Sequence, residues 1–425
     1  MFSSFFIKPE DIHFIFILPN IYEILNGVSL KYIKFIDYLK DLQISSHKIH
    51  ITLFLTKSKK SEVQIPSSPN IQLIFLPGIR VPFYKEIKVP ILHKSNIIPI
   101  IKHKNTNIIF HGEFIWLYSI LEKIKKKNPD IHLFPNWHTD YEFYLQNVYN
   151  IFKFSSSIIH KLQVNLLNKT FSGIIVTGYP MVLKYKEFTN HVFNANELDL
   201  STFHLHKIDT YEKKKLNVIY TGRISKEKNI ESIFSYLHTL THIIPFHLHL
   251  IGDGPHLHHI KNIASTEYPS ISCTFYGKMN QIDIFELYHK LEDRIFLFTS
   301  QSETFGKTPL EACACGIPVF IEKSQITPFI YTHLKNAFIF ENHVEFTESI
   351  QTFIQWNSEQ KKKFIYDSIQ NCEPFRQEKI FLSWFKFLIQ QSPLQKELSL
   401  SYMDYITFHS ISNLIQCSSH IIGEK

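Results

Sequence analysis

Short continuous apolar runs alternate along the chain with longer stretches whose apolar residues return every third or fourth position. IHFIFILP, KIHITLFLT, NIQLIFLPG, TNIIFHGE and FSGIIVTG read as strands in the first half, and LNVIYTGR, FHLHLIGDG, ISCTFYGK, RIFLFTSQ and IPVFIE in the second. Runs of this length, closed by turn residues, suit strands buried on both faces. NIESIFSYLHTL and DIFELYHKL carry the helical period instead. The alternation predicts βα units and parallel sheets. It lapses once, between Asn196 and Lys215, where ELDLSTFHLHKIDTYEKKK turns charged. The expected fold class is therefore α/β with two Rossmann-like, doubly wound domains, residues 1–205 and 206–392, and a tail over 393–425.

Length agrees with two domains, because 425 residues exceed the roughly 250–300 at which a single core stops growing. Composition supplies the cores: 44% of residues are hydrophobic and 15% aromatic, with 38 Phe and 20 Tyr, which argues against disorder. The net charge of +7 is mild for this length. It lacks the concentrated basic stripe of a nucleic-acid binder, yet is compatible with an anionic substrate or a membrane face. Five cysteines, Cys313 and Cys315 among them inside a helical stretch, read as reduced core residues of a cytoplasmic protein. Lys8, Pro9, Glu10 and Asp11 interrupt the apolar start, so no signal peptide is expected. No apolar run approaches the ~18 residues of a membrane-spanning helix. The NKT sequon at Asn168 is accordingly read as idle.

Candidate chemistry lies where strands run into helices, since ligands of open α/β sheets sit at carboxyl ends of strands. In SETFGKTPLEACACGIPVF, Thr308, Pro309 and Glu311 fit a capping box, with Gly316 closing the helix. That reading gives Glu303 and Gly306 no role. A carboxylate beside exposed helix-terminal amides suits a polyhydroxylated ligand bearing phosphate: the carboxylate accepts from hydroxyls, and the amides hold the phosphate. In VIYTGRISKEKNI, Arg223 and Lys228 follow Gly222 and can clamp a pyrophosphate; the plain alternative is a solvated helix start at Lys226, Glu227 and Lys228. The histidines of FHLHLIGDGPHLHHI, at positions 247, 249, 256, 258 and 259, raise the question of a metal. No cysteine or carboxylate grouping completes a tetrahedral set and no D-x-D motif stands in a donor loop, so no metal is assigned.

YTGRISKEKNI, HLIGDGP, FYGKM and SQSETFGKTPLEACACGIPV stand in the order and spacing of glycosyltransferase family 4. From about Leu216 to Phe340 the chain resembles these retaining enzymes of the GT-B architecture, in which two domains face a cleft. The resemblance is nearest to members that glycosylate lipids, such as sulfoquinovosyl- and glucosyl-diacylglycerol synthases and phosphatidylinositol mannosyltransferases. It implies that Glu303 holds sugar hydroxyls of the donor, that Glu311 binds the ribose, and that Arg223 and Lys228 neutralise the phosphates. Gly222, Phe305, Gly306, Lys307 and Thr308 would line the donor. In the first half, ILPNIYEILNGVSLKYIKFIDYL resembles the family's glycine loop, with Asn26 and Gly27 near the donor phosphates. NWHTDYEFY resembles its H-T-D segment, which makes His138 a catalytic candidate beside Glu303, Arg223 and Lys228. His111 and Asp140 are acceptor-side candidates.

The implied reaction is retaining hexosyl transfer from a UDP- or GDP-linked sugar to a hydroxyl of a lipid or glycan acceptor, with no cofactor. Two departures stand against the pattern: IEKSQITPFI replaces a glycine-rich loop after Phe320, and the first glycine loop has a single glycine. They keep open a catalytically inactive scaffold subunit that binds a nucleotide sugar or glycan; a nucleotide-sugar epimerase of the same architecture is the other alternative. Lys123, Lys125, Lys126 and Lys127, with YLQNVYNIFKFSSSIIHKLQVNLL, suit peripheral contact with an anionic membrane, or simply a helix end and a core helix. The tail is expected to cross back onto the first domain or to meet a partner.

Overall fold

A computed structural model describes residues 11–19, 27–42, 48–56, 68–81, 84–101, 105–112, 115–138, 170–186, 189, 191–200, 215–300 and 302–389. The chain forms two compact units. The first comprises Met1–Val176, Phe188–Phe193 and Phe381–Lys425, and the second Thr177–Glu187 and Asn194–Ile380. The chain therefore passes from one unit to the other at 177, 188, 194 and 381, not once near 206. The tail 393–425, Asn26, Asp140, Asn168 and the segment 144–167 lie outside the described residues.

In the first unit, β1 (Ile12–Ile17), β2 (Ile49–Thr56) and β3 (Ile71–Leu76) lead into a hairpin, β4 (Gly78–Val81) with β5 (Tyr84–Pro90). There follow β6 (Thr106–His111), β7 (His132–Trp137), β8 (Ile174–Val176) and β9 (Val192–Asn194). The main sheet runs β3-β2-β1-β6-β7-β8-β9. β1, β2 and β6 are buried along their whole length, as continuous apolar runs require. Helices α1 (Gly27–Asp41), α2 (Lys94–Ile97) and α3 (Ile115–Lys127) belong to this unit. The basic run at Lys123–Lys127 is the last stretch of α3. Trp384 stacks on Phe35 of α1 at 3.9 Å between centroids and is fully buried, one of the larger apolar contributions to this core.

In the second unit, β10 (Leu216–Thr221), β11 (Phe246–Ile251), β12 (Cys273–Gly277), β13 (Arg294–Phe298), β14 (Val319–Glu322) and β15 (Phe338–Phe340) form a sheet of order β12-β11-β10-β13-β14-β15. Every neighbouring pair in it is parallel. Helices α4 (Tyr179–Lys186), α5 (Ile230–His238), α6 (Leu257–Thr266), α7 (Gln281–Lys290), α8 (Lys307–Ala314), α9 (Thr327–Ile330), α10 (His343–Gln355) and α11 (Ser358–Gln370) belong to this unit, and α12 (Gln377–Ile389) belongs to the first unit from Phe381 onward. The strand order reverses between β10 and β13, and the carboxyl ends of those two strands carry the candidate loops. Among the described residues no helix is long and apolar enough to cross a membrane.

All ten expected strands are present, but four segments escaped the hydrophobic pattern. β7 contains Pro135, paired with Phe110 in the middle of the sheet, where a residue without an N–H donor argues against a strand. The β4–β5 hairpin is polar and irregular in register. β9 and β15 are three residues each, too short for a period to register.

Candidate functional site

The second unit builds its site from three backbone turns. Gly252 and Gly254 of the I-G-D-G-P turn lie against the loop after β10: a Cβ on Gly252 would sit 1.9 Å from Gly222 O, and one on Gly254 2.2 Å from Ile224 O. No other residue permits that approach. Hydrogen bonds lock the two loops together, Ile224 N donating to Asp253 O at 2.9 Å and His256 N to Ile224 O at 3.0 Å. Tyr220 Oη donates to Arg223 O at 3.1 Å. Burial, then the Glu303 and Glu227 carboxylates, raise that phenol far above its ordinary value, so it stays a donor.

Beyond Arg223 the chain makes a single 3₁₀ turn, Lys226–Lys228, and leaves it through Asn229 in the left-handed region, φ 50°. Thr299 Oγ1, just after β13, donates to Asn229 O at 2.9 Å and pins this turn beside the next strand. The consequence is an ion pair across two loops, Lys228 Nζ on Glu303 Oε1. Arg223 is exposed, and no partner for its guanidinium occurs among the described residues.

The helix after Glu303 differs from the sequence expectation. α8 begins at Lys307 with Gly306 as its N-cap in the left-handed region, φ 74°, and without a side-chain cap. The capping box of Thr308, Pro309 and Glu311 does not form, because the helix starts at Lys307, two residues before Pro309, and Thr308 lies inside it. The first-turn amides thus have no intrahelical partner and no side-chain cap among the described residues. Gly316 closes α8 as expected, with Gly316 N on Cys313 O at 2.9 Å and Ile317 N on Ala312 O at 3.0 Å, a Schellman turn. Phe305 is a core residue packed on Phe375, 5.2 Å between centroids, so its backbone is what faces the loop. Lys307 Nζ donates to Glu197 Oε1 at 2.6 Å. Glu311 lies on α8, half-buried.

Two supports of Glu303 were not visible in the sequence. A Cβ at Gly178 would fall 2.1 Å from Thr304 O, so the turn after β8 presses on the Glu303 loop; the glycine before α4 was the available signal. The segment replacing the family's glycine-rich loop folds back over the same place. Gln325 Nε2 donates to Glu303 O at 2.7 Å, and Ile326 is fully buried with its Cδ1 2.9 Å from where a Gly306 Cβ would lie.

In the first unit, His111 and His138 lie at the carboxyl ends of neighbouring strands β6 and β7, ring centroids 4.9 Å apart. His138 Nε2 is 3.0 Å from Tyr32 Oη, and Nδ1 is 3.4 Å from Lys31 Nζ. An ammonium has only donors, so Nδ1 accepts and Nε2–H donates to the tyrosine. Burial, then the Lys31 charge and His111, hold His138 well below its ordinary value and keep it neutral. Sequence reading missed Lys31. Its signal was its place at 31 in the stripe 31, 35, 39 of α1, where Phe35 and Leu39 are core residues. Gly27 starts α1, while Asn26 and Asp140 are outside the described residues.

The histidines of the second unit divide into two sets. His247 bonds Ser272 and Thr274, and His249 bonds Tyr276 and Asn217, so both are satisfied within the sheet. His256 and His259 instead face Glu231 of α5. The four described cysteines, Cys273, Cys313, Cys315 and Cys372, are free thiols.

Two parallel α/β units, one carrying a basic loop and a carboxylate at an uncapped helix start, define a GT-B protein. Residues 203–370 match the family model described as glycosyl transferases group 1. Alpha-monoglucosyldiacylglycerol synthase of Streptococcus pneumoniae (strain ATCC BAA-255 / R6) is 26% identical over 265 residues, 58% of this chain and 59% of that protein. The match therefore spans less than two thirds of that relative. Among solved structures, sucrose-phosphate synthase from Thermosynechococcus elongatus aligns with TM-score 0.64 at 14% identity, over 89% of this chain and 98% of that one. HepE of Anabaena, solved with UDP-glucose, aligns with TM-score 0.58 at 15% identity, over 89% and 99%.

Proposed function

We propose that the chain is a retaining glycosyltransferase that moves a hexosyl group from a nucleotide sugar to a hydroxyl of a lipid or glycan acceptor. The observation that carries this reading is the Lys228–Glu303 pair beside exposed Arg223 and the uncapped start of α8. As the bond from the anomeric carbon to the diphosphate breaks, negative charge grows on the leaving group. Arg223, Lys228 and the α8 amides are the groups to neutralise it, without a divalent ion. The diphosphate competes with Glu303 for Lys228, and the released carboxylate then accepts hydrogen bonds from sugar hydroxyls. Glu311 is assigned to the ribose, and neutral His138 to the reacting centre, held in one tautomer by Lys31 and Tyr32. Gly27, Gly222, Phe305, Gly306, Lys307 and Thr308 are assigned to the donor's surroundings.

The UDP-glucose bound to HepE favours a uridine donor, and the name of the Streptococcus relative favours a diacylglycerol-type lipid acceptor and work at a membrane face. The competing reading, a nucleotide-sugar-binding subunit without turnover, is favoured by the glycine-free segment that Gln325 and Ile326 pack over the Glu303 loop. Calorimetry of UDP, GDP and ADP against the wild type and Arg223→Ala tests the donor site. Binding of one nucleotide, largely lost in the variant, is the expected result; no binding of any of them removes the proposal. Release of the nucleotide in the presence of acceptor lipids separates enzyme from scaffold.

A further inference from the structure

We infer that Glu231, His256 and His259 form a binding site for a divalent metal ion of the zinc type, separate from the donor site. One ligand atom from each lies within 4.8 Å of the other two. Glu231 Oε1 is 2.9 Å from His256 Nε2 and 3.5 Å from His259 Nε2. Bonds of 2.0–2.1 Å to a tetrahedral zinc ion place ligand atoms about 3.3 Å apart, so both separations bracket the required edge with side-chain adjustments of a few tenths of an ångström. The donor set, two imidazoles and a carboxylate, suits zinc, and three protein ligands leave a fourth position for water.

The arrangement is built rather than scattered. His256 is the N-cap of α6 and His259 follows three residues later, about one turn on, which brings both to one side of the helix start. Glu231 stands in the first turn of α5. Neutral imidazoles accept a metal through the two Nε2 atoms that now meet the carboxylate, and any proton those nitrogens carry is released. Neighbouring His258 is exposed and outside the group. Because His256 N donates to Ile224 O at 3.0 Å, an ion at His256 ties α5 to α6 next to the loop that carries Arg223. Its expected role is to stiffen that loop; no step of sugar transfer passes through it.

The test is calorimetric titration of ZnCl2 into the full chain after chelator treatment, for the wild type, Glu231→Gln, His259→Ala and the control His258→Ala. One saturable site is expected, weakened about tenfold or more in Glu231→Gln and His259→Ala and unchanged in His258→Ala. The thermal midpoint of the wild type should rise with ZnCl2 and fall back with chelator, while that of His259→Ala stays put. Absence of saturable binding to the wild type overturns the inference. So does binding that survives in Glu231→Gln and His259→Ala, or that falls equally in His258→Ala, since either marks capture by the histidine-rich surface. Circular dichroism on each variant confirms that lost binding is not lost folding.

Discussion

Gly252→Ala tests the claim that the I-G-D-G-P turn is the mould for the Arg223 loop. The added Cβ falls 1.9 Å from Gly222 O, and separations under 3.0 Å are essentially absent from real proteins, so the two backbones must part by about 1.1 Å. Gly252 also holds φ at 141°, a region that costs a non-glycine residue about 1–3 kcal/mol. Overpacking against backbone adds roughly 1–3 kcal/mol. The expected loss of stability is about 2–6 kcal/mol, read from the urea midpoint at constant slope. Gly316→Ala is the control. It has φ 70° but meets only Ile365 Cγ2 at 3.4 Å, so strain of about 1–2 kcal/mol remains without displacement. The two variants separate the contributions. Gly252→Ala should weaken the bound nucleotide about tenfold or more, because Arg223 and Lys228 move with the loop, while Gly316→Ala leaves affinity as it was. Equal destabilisation by both, with nucleotide affinity intact in Gly252→Ala, refutes the reasoning.

Glu303→Ala should lower turnover about a hundredfold or more while nucleotide affinity changes about threefold or less, because the carboxylate is assigned to the sugar and not to the base or phosphates; steady-state kinetics with calorimetry decides, and undiminished turnover rejects the assignment. Acid should destabilise the second unit through His249, whose ring burial pushes down to about 4. An unfolded histidine binds its proton near pH 6.5, so from there to about 4 the unfolded state holds more protons and stability falls as pH falls. Urea midpoints from pH 7 to 4.5 should show that decline, and His249→Gln should flatten it; an unchanged slope in the variant removes His249 as the cause. His132, also pushed to about 4 by burial, acts in the same direction in the first unit.

Much of this protein was fixed by local sequence. Continuous apolar runs determined ten strands because a strand buried on both faces needs no polar alternation. The glycines at 222 and 306 and the cations at 223 and 228 marked the candidate loops, since only certain residue types tolerate those turns or that charge. What local sequence did not determine were pairings between distant segments. Pro135 became part of an interior strand, opposite Phe110 of a segment 25 residues earlier. α8 starts at Lys307 with Gly306 as its N-cap, in a loop crowded by Ile326 and the Gly178 turn, and no three-residue signature contains them. Lys31 met His138 across 107 positions, and Glu231 met His256 across 25. Periodicity reports which face of an element is apolar; only packing decides which polar groups of separate elements come within bonding distance, because those distances depend on how whole helices and strands settle against a shared core.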